Sequence, residues 1–135
     1  MQITIIDRVR RFNPDPDAAA LRQWGGCPEA AGLSGRDFYR CRSIVDLVAL
    51  RFRLTGRDIF HRRRTARIAL PRQVAMTLMR QILGLPLQTI GRLFDRDHGT
   101  VMHAAKAVAS HAASSPEFAA TWESLRAATF KLSAS

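Results

Sequence analysis

Residues 87–111 read LQTIGRLF (87–94), DRDHG (95–99) and TVMHAAKAVASH (100–111). Leu87, Ile90 and Phe94 fall three and four residues apart, the spacing of one buried helix face. Val101, Ala105, Val108 and Ala112 repeat that spacing and predict a second helix from Thr100 to about His111. Between them, Asp95 to Gly99 is polar and short, a tight turn. Two helices joined by such a turn suggest a helix-turn-helix. In that motif the second helix enters the major groove and its first residues meet base edges. Those residues are here Asp97, His98, Gly99 and Thr100, polar or small where a core helix would start with apolar ones.

Upstream, Pro71 predicts the opening of a helix at its first position. Val74, Ala75, Leu78, Met79, Ile82 and Leu83 form its buried stripe, and Gly84 ends it. Phe38, Cys41, Val45, Val48 and Phe52 mark the inner face of another helix, broken at Gly56. One helical turn follows at Arg57 to Phe60, then the basic run His61-Arg62-Arg63-Arg64, continued by Arg67. Downstream, Ser115-Pro116-Glu117 starts a last helix with Phe118, Trp122 and Leu125 inward. Near the start, Asp15 caps, Pro16 opens and Gly25-Gly26 stops a short helix that includes Ala18 to Trp24. Trp24 is expected to anchor on the main domain. Residues 1–12 suit a short strand or an extended arm, and 27–35 a loop. The expected fold is all-α, a helical bundle of about six helices containing a helix-turn-helix. Residues 1–36 form an arm and short helix of obscure role, and 37–135 form the main domain.

The 135 residues are 47% hydrophobic and 24% charged, the balance of a globular chain of one domain. Net charge is +10, and its distribution is informative: Arg36 to Lys106 holds 15 basic and 5 acidic residues, while the remainder balances at six and six. A basic middle beside a neutral rest is an electrostatic footprint for a polyanion, by default nucleic acid. No apolar run approaches the roughly 18 residues of a membrane span, and the N-terminus lacks a signal-peptide block, so a cytoplasmic, nucleoid-associated protein is expected. Cys27 and Cys41 are too few for a disulfide framework and are expected as free thiols. His61, His98, His103 and His111 have no zinc spacing with them, so no metal is expected. A nuclease built on Asp97 and His98 would need a second carboxylate or a metal cluster, and none accompanies them.

Three blocks are recognisable in order. They are Pro71-Arg72-Gln73-Val74-Ala75-Met76, then Leu87 to Phe94, then Arg96-Asp97-His98-Gly99-Thr100-Val101-Met102-His103-Ala104. Together they resemble the C-terminal DNA-binding domain of the bacterial replication initiator DnaA. That family reads roughly PRQ-A-M, SLPEIGxxF and GGRDHTTVxHA. The resemblance covers about residues 42 to 132. It implies that Arg64 enters the minor groove, while Arg72, Gln73 and Arg80 hold the phosphate backbone. By the same resemblance Gln88 lies close to the DNA, and Asp97, His98 and Thr100 read bases. Arg62, Arg63, Arg96, Gly99, His103 and Lys106 complete the candidate set. The chemistry agrees: Asp accepts from cytosine N4, a threonine methyl packs on thymine, and arginine suits a narrow minor groove.

Three departures matter. Asp95 alone stands where the family has two glycines, which shortens the turn and sets a negative charge near DNA. Gly99 replaces the first threonine. The ATPase domain has no counterpart: Lys106 and Lys131 are the lysines, and neither follows a phosphate-binding loop, so no cofactor or nucleotide and no enzyme activity are expected. The expected function is sequence-specific binding of double-stranded DNA at DnaA-box-like sites, in transcription regulation or control of replication initiation. Besides DNA, the candidate partner is a protein met through residues 1–36 or through a region beyond 135, and no membrane is expected. The alternative is a protein-interaction adaptor that keeps the fold and has lost specific DNA recognition.

Overall fold

Asp15 starts the first helix as its sequence predicts. Its Oδ1 accepts from the backbone N–H of Asp17 at 2.8 Å and of Ala18 at 3.4 Å, and α1 runs Pro16–Gln23. The structure is a computed structural model that describes residues 15–62 and 65–134. Six further helices follow among the described residues: α2 (Arg36–Phe52), α3 (Gly56–Phe60), α4 (Ala66–Gln81), α5 (Leu87–Phe94), α6 (His98–Ser114) and α7 (Pro116–Ala134), with no strand among them. The strand or arm expected over 1–12 lies outside the described residues.

Helix α2 buries Phe38, Cys41, Val45 and Val48 as their spacing requires, together with Ile44 and Ala49. It ends at Phe52, the last residue of that stripe, but the break is made by Arg53, which takes the left-handed conformation (φ 57°), and not by Gly56. Gly56 instead opens α3, and its lack of a side chain serves packing: a Cβ there would lie 2.2 Å from the Trp24 ring. Trp24 is thereby seated against the core edge. Thr55 and Asp58 close a reciprocal capping box on α3.

Pro71 does not open its helix. Helix α4 begins five residues earlier, at Ala66, and runs through the proline. The ring removes one intrahelical bond, to the Arg67 carbonyl. Burial of Ile68 offsets that loss, as do the Ile68 and Ala69 N–H bonds to the Thr65 carbonyl. Nor does α4 show a simple stripe, because Val74, Ala75, Met76, Thr77, Leu78 and Met79 are all buried in succession. A segment buried on every face belongs at the centre, and α4 packs against α2, α3, α5, α6 and α7. The Thr77 hydroxyl avoids an orphaned donor by bonding to the Gln73 carbonyl at 2.7 Å.

One buried cluster extends from Ala18 and Leu21 through Ala31 and Leu33 to Leu125. Residues 15–35 therefore share the core of the later helices. The Cys27 N–H also donates to the Leu93 carbonyl at 2.9 Å, tying this early segment to α5. Both cysteines are free thiols, Cys27 half-buried and Cys41 buried, and burial pushes the Cys41 thiol up to about 12. Among the described residues no helix is long and apolar enough to cross a membrane.

Candidate nucleic-acid interface

The corner between α5 and α6 is built on two unusual backbone positions. Asp95 adopts the left-handed conformation (φ 54°, ψ 50°) that ends α5. Gly91 lets the chain fold back closely: the Arg96 N–H donates to the Gly91 carbonyl at 2.7 Å, and a Cβ on Gly91 would lie 2.5 Å from the Arg96 carbonyl oxygen. The turn is consequently only Asp95-Arg96-Asp97. Helix α6 starts at His98, two residues before the expected Thr100, and Gly99 lies inside its first turn. Phe60 of α3 stacks on Phe94 with ring centroids 4.6 Å apart, which fixes α3 against α5.

Asp97 is the N-cap of α6. Its Oδ1 accepts from the Thr100 N–H at 2.8 Å and from the Thr100 hydroxyl at 3.1 Å. The bond from the Thr100 backbone, reinforced by its hydroxyl, holds the carboxyl below the usual aspartate range. Val101, Ala104 and Val108 face the core. His98, Met102, His103 and Lys106 form the exposed face. Met102, 47% exposed, was not among the sequence candidates, although its position one turn from His98 and from Lys106 is the signal that would have found it.

Beside this face lies the basic loop. The Arg62 guanidinium donates to the Asp95 carboxylate, and both side chains stay largely in solvent, 71% and 68% exposed. Arg63 and Arg64 lie outside the described residues. Arg72, expected on the phosphate backbone, is only 5% exposed, and its guanidinium donates to the His61 carbonyl. Arg96 reaches the same carbonyl at 3.3 Å. Burial, and secondarily the neighbouring Arg96, lowers the Arg72 guanidinium to about 10. Three candidates, Arg62, Arg72 and Arg96, thus meet at the corner through His61 and Asp95. Arg80, on α4, is exposed and donates to the Leu85 carbonyl at 3.0 Å, just ahead of α5. Gln88 is exposed in the first turn of α5, and Gln73 is half-buried on α4. Among the described residues no three His, Cys, Asp or Glu side chains gather as a metal-ligand set.

Comparison with known proteins bears on this geometry. The family model described as the bacterial dnaA protein helix-turn-helix matches residues 41–108. The chromosomal replication initiator protein DnaA of Neisseria meningitidis (strain FAM18) is 45% identical over 83 residues, 61% of this chain and 16% of that protein. DnaA 2 of Protochlamydia amoebophila is 42% identical over 67 residues, 50% of this chain and 15% of that protein. The chain thus spans about a sixth of the length of these relatives. A crystal structure of a DNA replication initiation factor superposes with a TM-score of 0.61 at 30% identity, over 69% of this chain and 29% of that one. The matched segment contains α3 to α5 whole and the first turns of α6, and with it the corner at Asp95-Arg96-Asp97. On that match the chain belongs to the bacterial DnaA helix-turn-helix family.

Proposed function

We propose that this protein binds double-stranded DNA sequence-specifically at DnaA-box-like sites through α5 and α6. On this reading it acts in transcription regulation or in control of replication initiation, without ATPase activity in these 135 residues. The observation that supports this most is the exposed, polar start of α6, capped by Asp97 and set beside a basic loop within a family helix-turn-helix. His98 and Thr100 read bases, Asp97 combines capping with base reading, and Gly99 leaves one base contact unmade. Gln73, Arg80, Gln88, Arg96, His103 and Lys106 hold the backbone, with Arg62, Arg63 and Arg64 supplying the loop contacts. Arg72 acts as a positioning residue that holds the loop carbonyl of His61.

A second reading, a protein-interaction adaptor, is favoured by two particulars: Asp95 neutralises Arg62, and Gly99 offers no side chain to a base. Titrating duplex DNA across a salt series separates the two. Phosphate binding predicts an affinity loss of about 10³ from 50 to 200 mM salt for six contacts. A flat dependence would leave the adaptor reading.

A further inference from the structure

An open cleft of about 610 Å³ lies on the α1–α3 side of the corner, lined by Arg22, Gln23, Trp24, Gly25, Arg57, Phe60, His61 and Arg62. Its α1 side, Arg22 to Gly25, lies outside the family-matched segment. The cleft is continuous with the candidate interface. Arg62 on its wall pairs with Asp95 of the corner, and the His61 carbonyl receives both Arg72 and Arg96. Two of its three guanidiniums have carboxylate partners, Arg22 with Glu29 at 2.5 Å and Arg62 with Asp95. Arg57, exposed on α3, pairs with no carboxylate among the described residues. Counted over the described residues, the cleft therefore carries net positive charge around an aromatic floor. Its shape is also fixed: Trp24 rests on Gly56, and the Phe60 ring lies where a Gly26 Cβ would come within 2.8 Å.

We propose that this cleft is a second backbone subsite, which takes a phosphodiester of the duplex flanking the recognised sequence. This rests on the DNA-binding reading above. Arg57 supplies the charge left unpaired among the described residues, and Arg62 can exchange its exposed carboxylate partner for phosphate at little cost, since such a pair is weak in water, whereas Arg22 stays on its half-buried partner Glu29. Trp24 forms the wall against the sugar-phosphate. The early helix α1, which the family match does not include, so lengthens the DNA footprint on one side.

The test uses the full chain and three duplexes: a DnaA box with blunt ends, and the same box extended by about one helical turn (~10 base pairs) on either side. Extension on one side only should tighten binding several-fold. Arg57→Ala should abolish that gain while leaving the preference for box over scrambled sequence unchanged. It should also shrink the affinity loss from 50 to 200 mM salt by about 3.5-fold, the share of one phosphate contact. In a Trp122→Phe background the remaining tryptophan, Trp24, should change its fluorescence with the extended duplex and not with the blunt one. Equal affinity for all three duplexes, or a flank effect that survives Arg57→Ala, overturns the subsite. Failure of the underlying reading shows differently, as no preference for the box even on blunt duplexes.

Discussion

Asp95 and Arg62, 33 residues apart in sequence, form an ion pair across the corner of the helix-turn-helix. The sequence sets Asp95 near DNA as a negative charge, and the structure places that carboxylate against the guanidinium of the basic loop. Both side chains are largely exposed, so the pair adds at most about 1 kcal/mol to stability. Its effect on binding is of the same size, because a phosphate that approaches Arg62 must compete with this one carboxylate.

Asp95→Gly should therefore separate stability from binding. Glycine takes the left-handed position more easily than aspartate, so the melting temperature should hold or rise slightly. Arg62 is released, and duplex affinity should increase several-fold with a steeper salt dependence. Binding isotherms at two salt concentrations check this. Unchanged affinity would mean that the pair does not restrain Arg62 toward DNA.

Gly91→Ala is expected to cost about 1–3 kcal/mol, because the new methyl meets the Arg96 carbonyl 2.5 Å away in a packed corner. Urea denaturation reads this directly. An unaffected midpoint would contradict the close return of the chain over α5.

Arg72→Ala distinguishes a clamp from a phosphate ligand. The buried guanidinium holds the His61 carbonyl, so its loss should lower stability by about 1–3 kcal/mol. An outward phosphate contact would instead weaken DNA binding with stability intact. Arg72→Lys should rescue poorly, since one ammonium does not reproduce the planar fork.

Gly99→Thr tests the recognition helix. Gly99 lies inside the first turn of α6, and a Cβ would sit 3.2 Å from Asp97 Oδ1, a contact a small side-chain shift relieves. Threonine's helix propensity lies only slightly above glycine's, so the variant should fold about as well. It should bind a consensus DnaA box about tenfold more tightly, with preference sharpened at one base pair. No gain from a folded variant would indicate a different docking of α6.

The corner and its outer helices were legible because local spacing controls them: Ile90, Phe94, Val101 and Val108 face inward where their periodicity puts them. Helix α4 was misread because its neighbours override local signals. A proline suited to a first position sits inside the helix, and Val74 to Met79 are buried in succession because five other helices pack on α4. The end of α2 at Phe52 was legible from its stripe, but its breaker was not, because Arg53, and not a glycine, takes the left-handed turn. At the site, the pairing of Asp95 with Arg62 and the burial of Arg72 depend on contacts across 33 and 11 residues, which no short motif encodes. Trp24 was legible as an anchor; the cleft it shares with Arg57 was not, since it exists only once Trp24 comes against Gly56 at the start of α3.

Sequence-specific recognition by the start of α6 is tested most directly by comparing affinity for a consensus DnaA box with affinity for a scrambled duplex of equal length at physiological salt. The wild-type chain should prefer the box by about 10³-fold. His98→Ala, which leaves the Asp97 cap intact, should cut that ratio by roughly tenfold or more without changing affinity for the scrambled duplex. Equal affinity for both duplexes, or a ratio indifferent to His98→Ala, would contradict base reading by this helix.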